Sequence, residues 1–142
     1  MGLTRLDFVN TLPCAVKFEY ASQTRGDVIL NPAGFESLQG VNASKPYDIE
    51  AELILGSDGT CGGVNVTNSK WNGQVHGSSQ KVRVNHSTET DLTDWLSLTG
   101  IYGYRFCTRW RAHLQADGSR NDFAEIQLWA SASRVMLVTE MN

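Results

Sequence analysis

The chain has 142 residues, of which 41% are hydrophobic and 19% charged, with only 3 prolines. That size and balance fit one globular domain with one core, spanning residues 1–142, and exclude a disordered or low-complexity chain. The net charge of −3 supplies no field to draw the chain onto a phosphate backbone, so nucleic acid is not an expected partner.

The start, Met1-Gly2-Leu3-Thr4-Arg5-Leu6-Asp7, carries neither an apolar run nor a cleavage motif, and no stretch is apolar for long enough to cross a bilayer as a helix. The default expectation is cytoplasmic, changing to secreted if a signal was removed before the numbering begins. The three cysteines, Cys14, Cys61 and Cys107, are widely spaced and odd in number. They allow one disulfide but not a disulfide scaffold, and they leave its pairing open.

In chain order, apolar and polar residues alternate at period two. Val16, Phe18 and Tyr20 alternate with Lys17 and Glu19, and Tyr47, Ile49, Ala51, Leu53 and Leu55 alternate with Asp48, Glu50 and Glu52. Successive side chains on a strand point to opposite faces, so each run offers one face to a core and one to water. Predicted strands are 6–9, 15–20, 27–30, 35–41, 47–55, 63–67, 74–76, 81–85 and 101–116. Turn residues punctuate them at Asn31-Pro32-Ala33-Gly34, Gly56-Ser57-Asp58-Gly59, Asn72-Gly73 and Asp117-Gly118-Ser119. Leu92, Trp95 and Leu96 fall at helical spacing, predicting one short helix near residues 90–97.

In the longest predicted strand, Tyr102, Tyr104, Phe106, Trp110, Ala112 and Leu114 take the core face. Arg105, Arg109, Arg111 and His113 take the other. Residues 122–138 fit either a helix capped by Asn121 or Asp122, or a strand pairing back through Asp117-Gly118 and followed by a last strand over 134–140. Strands are expected, because the long preceding strand needs a partner. The fold class is therefore all-β: an antiparallel β-sandwich or a closed β-barrel of about 8–10 strands.

No catalytic constellation stands out. There is no nucleophile elbow and no phosphate-binding loop, and Cys61, His76, His86 and Cys107 lack the short ligand spacing that zinc favours. No cofactor, metal site or catalytic residue is expected, and the balance is against an enzyme. Arg25-Gly26-Asp27 matches an adhesion tripeptide that also arises by chance at a hairpin end.

The stripe Arg105, Arg109, Arg111 and His113 is a candidate anion or nucleic-acid face. The plainer reading is a solvated face paired with acids such as Asp48, Glu50, Glu52 or Glu125. The least bland feature is Asn68, Trp71, Asn72, Gln74 and His76 in a Gly-rich segment. Read as an exposed turn, it offers a flat aromatic face and neutral amides, a combination that suits sugar hydroxyls.

The leading expectation is a non-enzymatic, lectin-like module that binds a glycan or other small molecule through Trp71, Asn72, Gln74, His76 and Asn68. One alternative is a β-barrel holding a small apolar molecule, as carrier or pericyclic-type cyclase. The other is a self-associating shell or fibre subunit with a basic sheet face, and a homo-oligomer is the corresponding partner expectation.

Overall fold

The computed structural model describes residues 5–21, 25–39, 46–67, 69–76, 81–84, 106–128 and 134–141. The helix expected near 90–97, and positions 101–105 of the longest expected strand, lie outside the described residues. Every regular element among those described is a strand. The first five are β1 (Arg5–Asn10), β2 (Ala15–Ala21), β3 (Arg25–Leu30), β4 (Phe35–Gln39) and β5 (Pro46–Ile54). Two-residue pieces β6 (Thr60–Cys61) and β7 (Val64–Asn65) follow, then β8 (Lys70–His76) and β9 (Lys81–Val84). The last three are β10 (Phe106–Leu114), β11 (Arg120–Leu128) and β12 (Arg134–Met141).

Ten of these strands form two five-stranded sheets, in the order β11-β10-β12-β1-β4 and β3-β2-β5-β8-β9. Among the described residues each sheet ends in two edge strands, and neither closes into the barrel that was one of the two expected architectures. The second sheet is antiparallel throughout. The first departs from the expected antiparallel pattern, because β12 runs parallel to both of its neighbours, β1 and β10. Residues 120–128 and 134–141 are strands, as expected, and β11 pairs back on β10 across the Asp117-Gly118 turn.

The two sheets share one apolar core. Leu6 and Phe8 of β1, Ala112 and Leu114 of β10 and Leu137 of β12 meet Val16, Phe18, Ile49, Ala51, Leu53, Trp71 and Val75 of the second sheet. The Phe8 and Phe18 ring centroids lie 5.1 Å apart and the Phe8 and Tyr20 centroids 6.0 Å apart. These spacings are typical of packed aromatic pairs. The alternation read from the sequence thus points the intended residues of β2 and β5 inward.

A buried polar knot ties the sheets together at one end. Asn10 is fully buried. Its Nδ2 donates to the carbonyls of Cys14 (3.0 Å) and Leu30 (3.1 Å), and its Oδ1 accepts from the Leu12 amide (3.0 Å) and the Thr139 hydroxyl (2.9 Å). One amide side chain therefore satisfies groups on both sheets. Asn10→Ala would leave all four without that partner, and an unmade buried hydrogen bond costs roughly 1–3 kcal/mol. The expected result is a loss of about 3 kcal/mol in urea unfolding, with Asn10→Asp also destabilising because a carboxylate cannot donate to the two carbonyls.

Nearby, Gly34 N donates to Asn31 O at 2.8 Å, closing the Asn31-Pro32-Ala33-Gly34 turn. Ala33 holds φ 67° there, the only non-glycine residue with positive φ among the described residues. A side chain in that region is strained, and glycine adopts it without strain. Ala33→Gly is expected to stabilise the fold by about 0.5–1 kcal/mol, read as a rise in thermal midpoint.

Candidate functional site

The disulfide Cys14–Cys61, with Cα atoms 4.9 Å apart, joins the start of β2 to the β6–β7 hairpin. It settles the pairing that the sequence left open. Beside it, Gly62 has φ +57°, and a Cβ there would come within 2.4 Å of the Pro13 Cβ, so the hairpin packs against Pro13 only because residue 62 is glycine. An open groove of about 490 Å³ lies at this end, lined by Pro13, Ala15, Pro32, Ile54, Asp58 and Gly62, among others. The Thr60 hydroxyl and amide both donate to Asp58 Oδ1 and hold its carboxyl below the usual carboxylate range.

Trp71 departs from the expectation. It is fully buried on the inner face of β8, not exposed in a turn. Its strand begins at Lys70, four residues before the expected start at 74. The small residues opposite and beside it make the room: Ala51 is its partner across the ladder, and Gly73 is the next inward position on its own strand. Arg120 Cζ sits 5.4 Å from the ring centroid, capping the indole from the other sheet. Trp71 Nε1 is buried without a hydrogen-bond partner among the described residues. A ring so enclosed offers no face to a sugar.

The amides expected beside it divide. Asn72 and Gln74 lie on the outer face of the second sheet, opposite Glu50 and Asp48 respectively, and Gln74 Nε2 donates to Asp48 Oδ1 at 2.7 Å. His76 ends β8 opposite Pro46, and Asn68 lies outside the described residues. The same outer face holds Lys17, whose Nζ is 2.9 Å from Glu19 and 3.9 Å from Asp27, and Lys70, 3.5 Å from Glu50. Bonding to Glu19 first, and its charge second, holds the Lys17 ammonium above its ordinary pKa. These pairs are solvated and each contributes little to stability.

No protein-family model, curated protein or solved structure matches this chain. Its surfaces are therefore read on their own chemistry.

The basic stripe is not the open solvated face that alternation suggests. Arg111 and His113 do point to one side, away from the shared core, but His113 is only 7% exposed. Both bond the same carboxylate: Arg111 pairs with Glu140 through its guanidinium, and His113 Nε2 lies 2.6 Å from Glu140 Oε1. Glu140 reaches them because β12 lies directly beside β10, with His113 and Glu140 in register. Arg109 lies opposite Glu125 on β11. The acids Asp48, Glu50 and Glu52 belong to the other sheet and meet Gln74, Asn72 and Lys70 across the ladder, not the basic stripe. Arg105 lies outside the described residues. Among those described, no group of three or more histidine, cysteine or carboxylate side chains is placed to hold a metal, and no helix is long and apolar enough to cross a membrane.

The remaining surface feature was not foreseen. β3 and β4, an edge strand of each sheet, come together where the Asn31-Pro32-Ala33-Gly34 turn joins them. Large apolar side chains flank this side. Ile29 of β3 is 60% exposed and Phe35 of β4 is 57% exposed. Ile29 pairs with Lys17 on β2, and the next outward position on β2 is Ala15, itself opposite Ile54, which is 42% exposed. The open edge thus runs into the apolar lining of the groove at the disulfide end. The signal was present in the sequence, since Ile29 falls out of phase with Val28 and Leu30, but a three-residue apolar run does not show which member points outward.

Proposed function

We propose that the chain is a non-enzymatic structural subunit that associates with copies of itself through the side formed by β3 and β4. The reading takes the two sheets as the halves of a β-sandwich. The observation that carries it is the edge strand β3, whose Ile29 is 60% exposed and shares the outer face of its sheet with Ala15 and the exposed Ile54 on the neighbouring strands. An exposed strand edge presents unpaired backbone donors and acceptors, and proteins that must stay monomeric blunt such edges with proline, inward charge or a covering loop. Neither β3 nor β4 contains proline; β4 does carry an acid, Glu36, on the face of the core residue Phe8, so β3 is the barer of the two edges, and its outward Ile29 favours being covered.

Sedimentation velocity tests this reading. Wild-type protein is expected to form larger species in the micromolar range. Ile29→Lys/Phe35→Lys, which places charge on both sides of the edge, is expected to weaken that association about tenfold or more while the circular dichroism is unchanged. A wild-type chain that stays monomeric to about 1 mM overturns it.

A second reading, a glycan-binding module, keeps support from one feature. Asn72 and Gln74, two neutral amides, lie beside the carboxylates Asp48 and Glu50 on the outer face of the second sheet. On this reading Asn72→Ala/Gln74→Ala abolishes glycan-array binding, and a blank array with wild-type protein removes it.

A further inference from the structure

We propose that Asn65 is an acceptor site for an N-linked glycan, attached before β7 docks on the Asp117-Gly118-Ser119 turn. The inference does not depend on how copies of the chain meet.

Asn65-Val66-Thr67 has the acceptor pattern for this modification, an asparagine with a hydroxyl two residues on and no proline between. Such a tripeptide also arises by chance, so its placement decides. Val66 packs against the core, and Asn65 and Thr67 on either side of it are exposed. In the β6–β7 hairpin, Asn65 lies opposite Thr60 and Val64 opposite Cys61. Cys61 and Val64 anchor the hairpin from its inner side, and Asn65 shares the outer side with Thr60. Among the described residues no hydrogen bond uses the Asn65 side-chain amide. A glycan on that nitrogen therefore extends into solvent without displacing a packed group. Two further acceptor tripeptides, at Asn42 and Asn85, lie outside the described residues.

The disulfide is a second, independent observation. Cys14 and Cys61 are bonded to each other and both are buried. Bridges of this kind form and persist in oxidising compartments, through which secreted chains pass and in which N-linked glycans are added. The bridge and the acceptor tripeptide belong to the same hairpin.

The contacts of Thr67 set the order of events. In the transfer, Asn65 Nδ2 forms a bond to the anomeric carbon of a diphosphate-linked oligosaccharide. The bond from that carbon to the diphosphate oxygen breaks, the diphosphate departs, and one amide proton passes to a base of the transferase. Nothing is oxidised or reduced. The transferase must reach the Thr67 hydroxyl as well as the amide. In the folded chain the Thr67 hydroxyl and backbone amide both donate to Gly118 O, each at 3.1 Å. The turn sits so close that a Cβ on Gly118 would lie 1.9 Å from Asn65 O. The tripeptide is thus clamped in the native state, by a residue that follows Thr67 by 51 positions and emerges after it during synthesis.

The test expresses the full chain behind a cleavable secretion leader in eukaryotic cells and maps its peptides before and after enzymatic glycan removal. Asn65 is expected to be occupied in molecules whose Cys14–Cys61 bridge is intact, and glycan removal to leave the circular dichroism unchanged. Thr67→Ser keeps the hydroxyl and should keep the glycan, whereas Thr67→Ala and Asn65→Gln should lose it at this site alone. Offered to membrane vesicles that carry the transferase and its oligosaccharide donor, reduced and unfolded chain should be modified and folded, oxidised chain should not. Secreted protein with its bridge intact and Asn65 bare overturns the site. Glycan at Asn65 only in molecules that lack the bridge overturns it too, because the hairpin then does not fold with the sugar attached. Folded, oxidised chain modified as readily as unfolded chain overturns the order of events.

Discussion

Trp71→Ala is expected to lower the unfolding free energy by about 3–5 kcal/mol, the range for removing a large aromatic side chain from a packed interior. The indole is fully buried, fills space left by Ala51 and Gly73, and is covered from the opposite sheet by Arg120. Truncation therefore opens a hole spanning both sheets and leaves the Arg120 guanidinium without its aromatic partner. Trp71→Phe keeps most of the apolar volume and should cost about half as much or less. Guanidinium unfolding followed by far-ultraviolet circular dichroism reads both. A Trp71→Ala protein as stable as wild type would mean that the indole is not in the core, and would restore it as a surface residue.

Breaking the Cys14–Cys61 link is the second large effect. The bridge spans a sequence separation of 47 residues. Closing a loop of that length in the unfolded chain corresponds to about 4 kcal/mol in the chain-entropy treatment, within a usual range of about 2–4. Cys14→Ala/Cys61→Ala should therefore unfold at markedly lower denaturant than wild type, and wild type measured with excess reductant should follow the variant. If reductant has no effect on wild type while the double variant is destabilised, the loss comes from packing at the Gly62–Pro13 contact and not from the covalent link. Cys107 occupies β10, so its replacement gives a control for thiol chemistry outside this pair.

Much of the architecture was legible because it rests on local alternation. Val16 and Phe18, and Tyr47, Ile49, Ala51 and Leu53, fall on the core face as their spacing requires, and the Asp117-Gly118 turn brings β11 back onto β10. Trp71 was misplaced because Asn72-Gly73 reads as a turn. In the structure that dipeptide lies within a strand, and Lys70, Asn72 and Gln74 outside with Trp71, Gly73 and Val75 inside complete an ordinary alternation. Propensity for a turn lost to the burial of a large aromatic residue.

What was not legible depends on contacts between distant parts of the chain. Arg111 and His113 share a face, as their spacing implies, but only the placement of β12 brings Glu140 to them. Asn10 carries no local mark of a residue that bonds both sheets, since its partners lie 2, 4, 20 and 129 residues away. The exposed edge at β3 and β4 follows from strand order, which period-two patterning does not encode.

The strand order of the first sheet also has a kinetic meaning. The element at its centre, β12, is the last of the described strands to leave the ribosome, yet it alone joins β10–β11 to β1–β4. Until it arrives, the inner sides of Phe8 and Leu114 have no complete layer around them, and two unsatisfied ladder edges wait within one nascent chain. Such long-range closure makes folding slow and exposes those edges to strangers in the meantime. Molecules that lose the final strand should therefore aggregate rather than persist as a smaller version of the same fold.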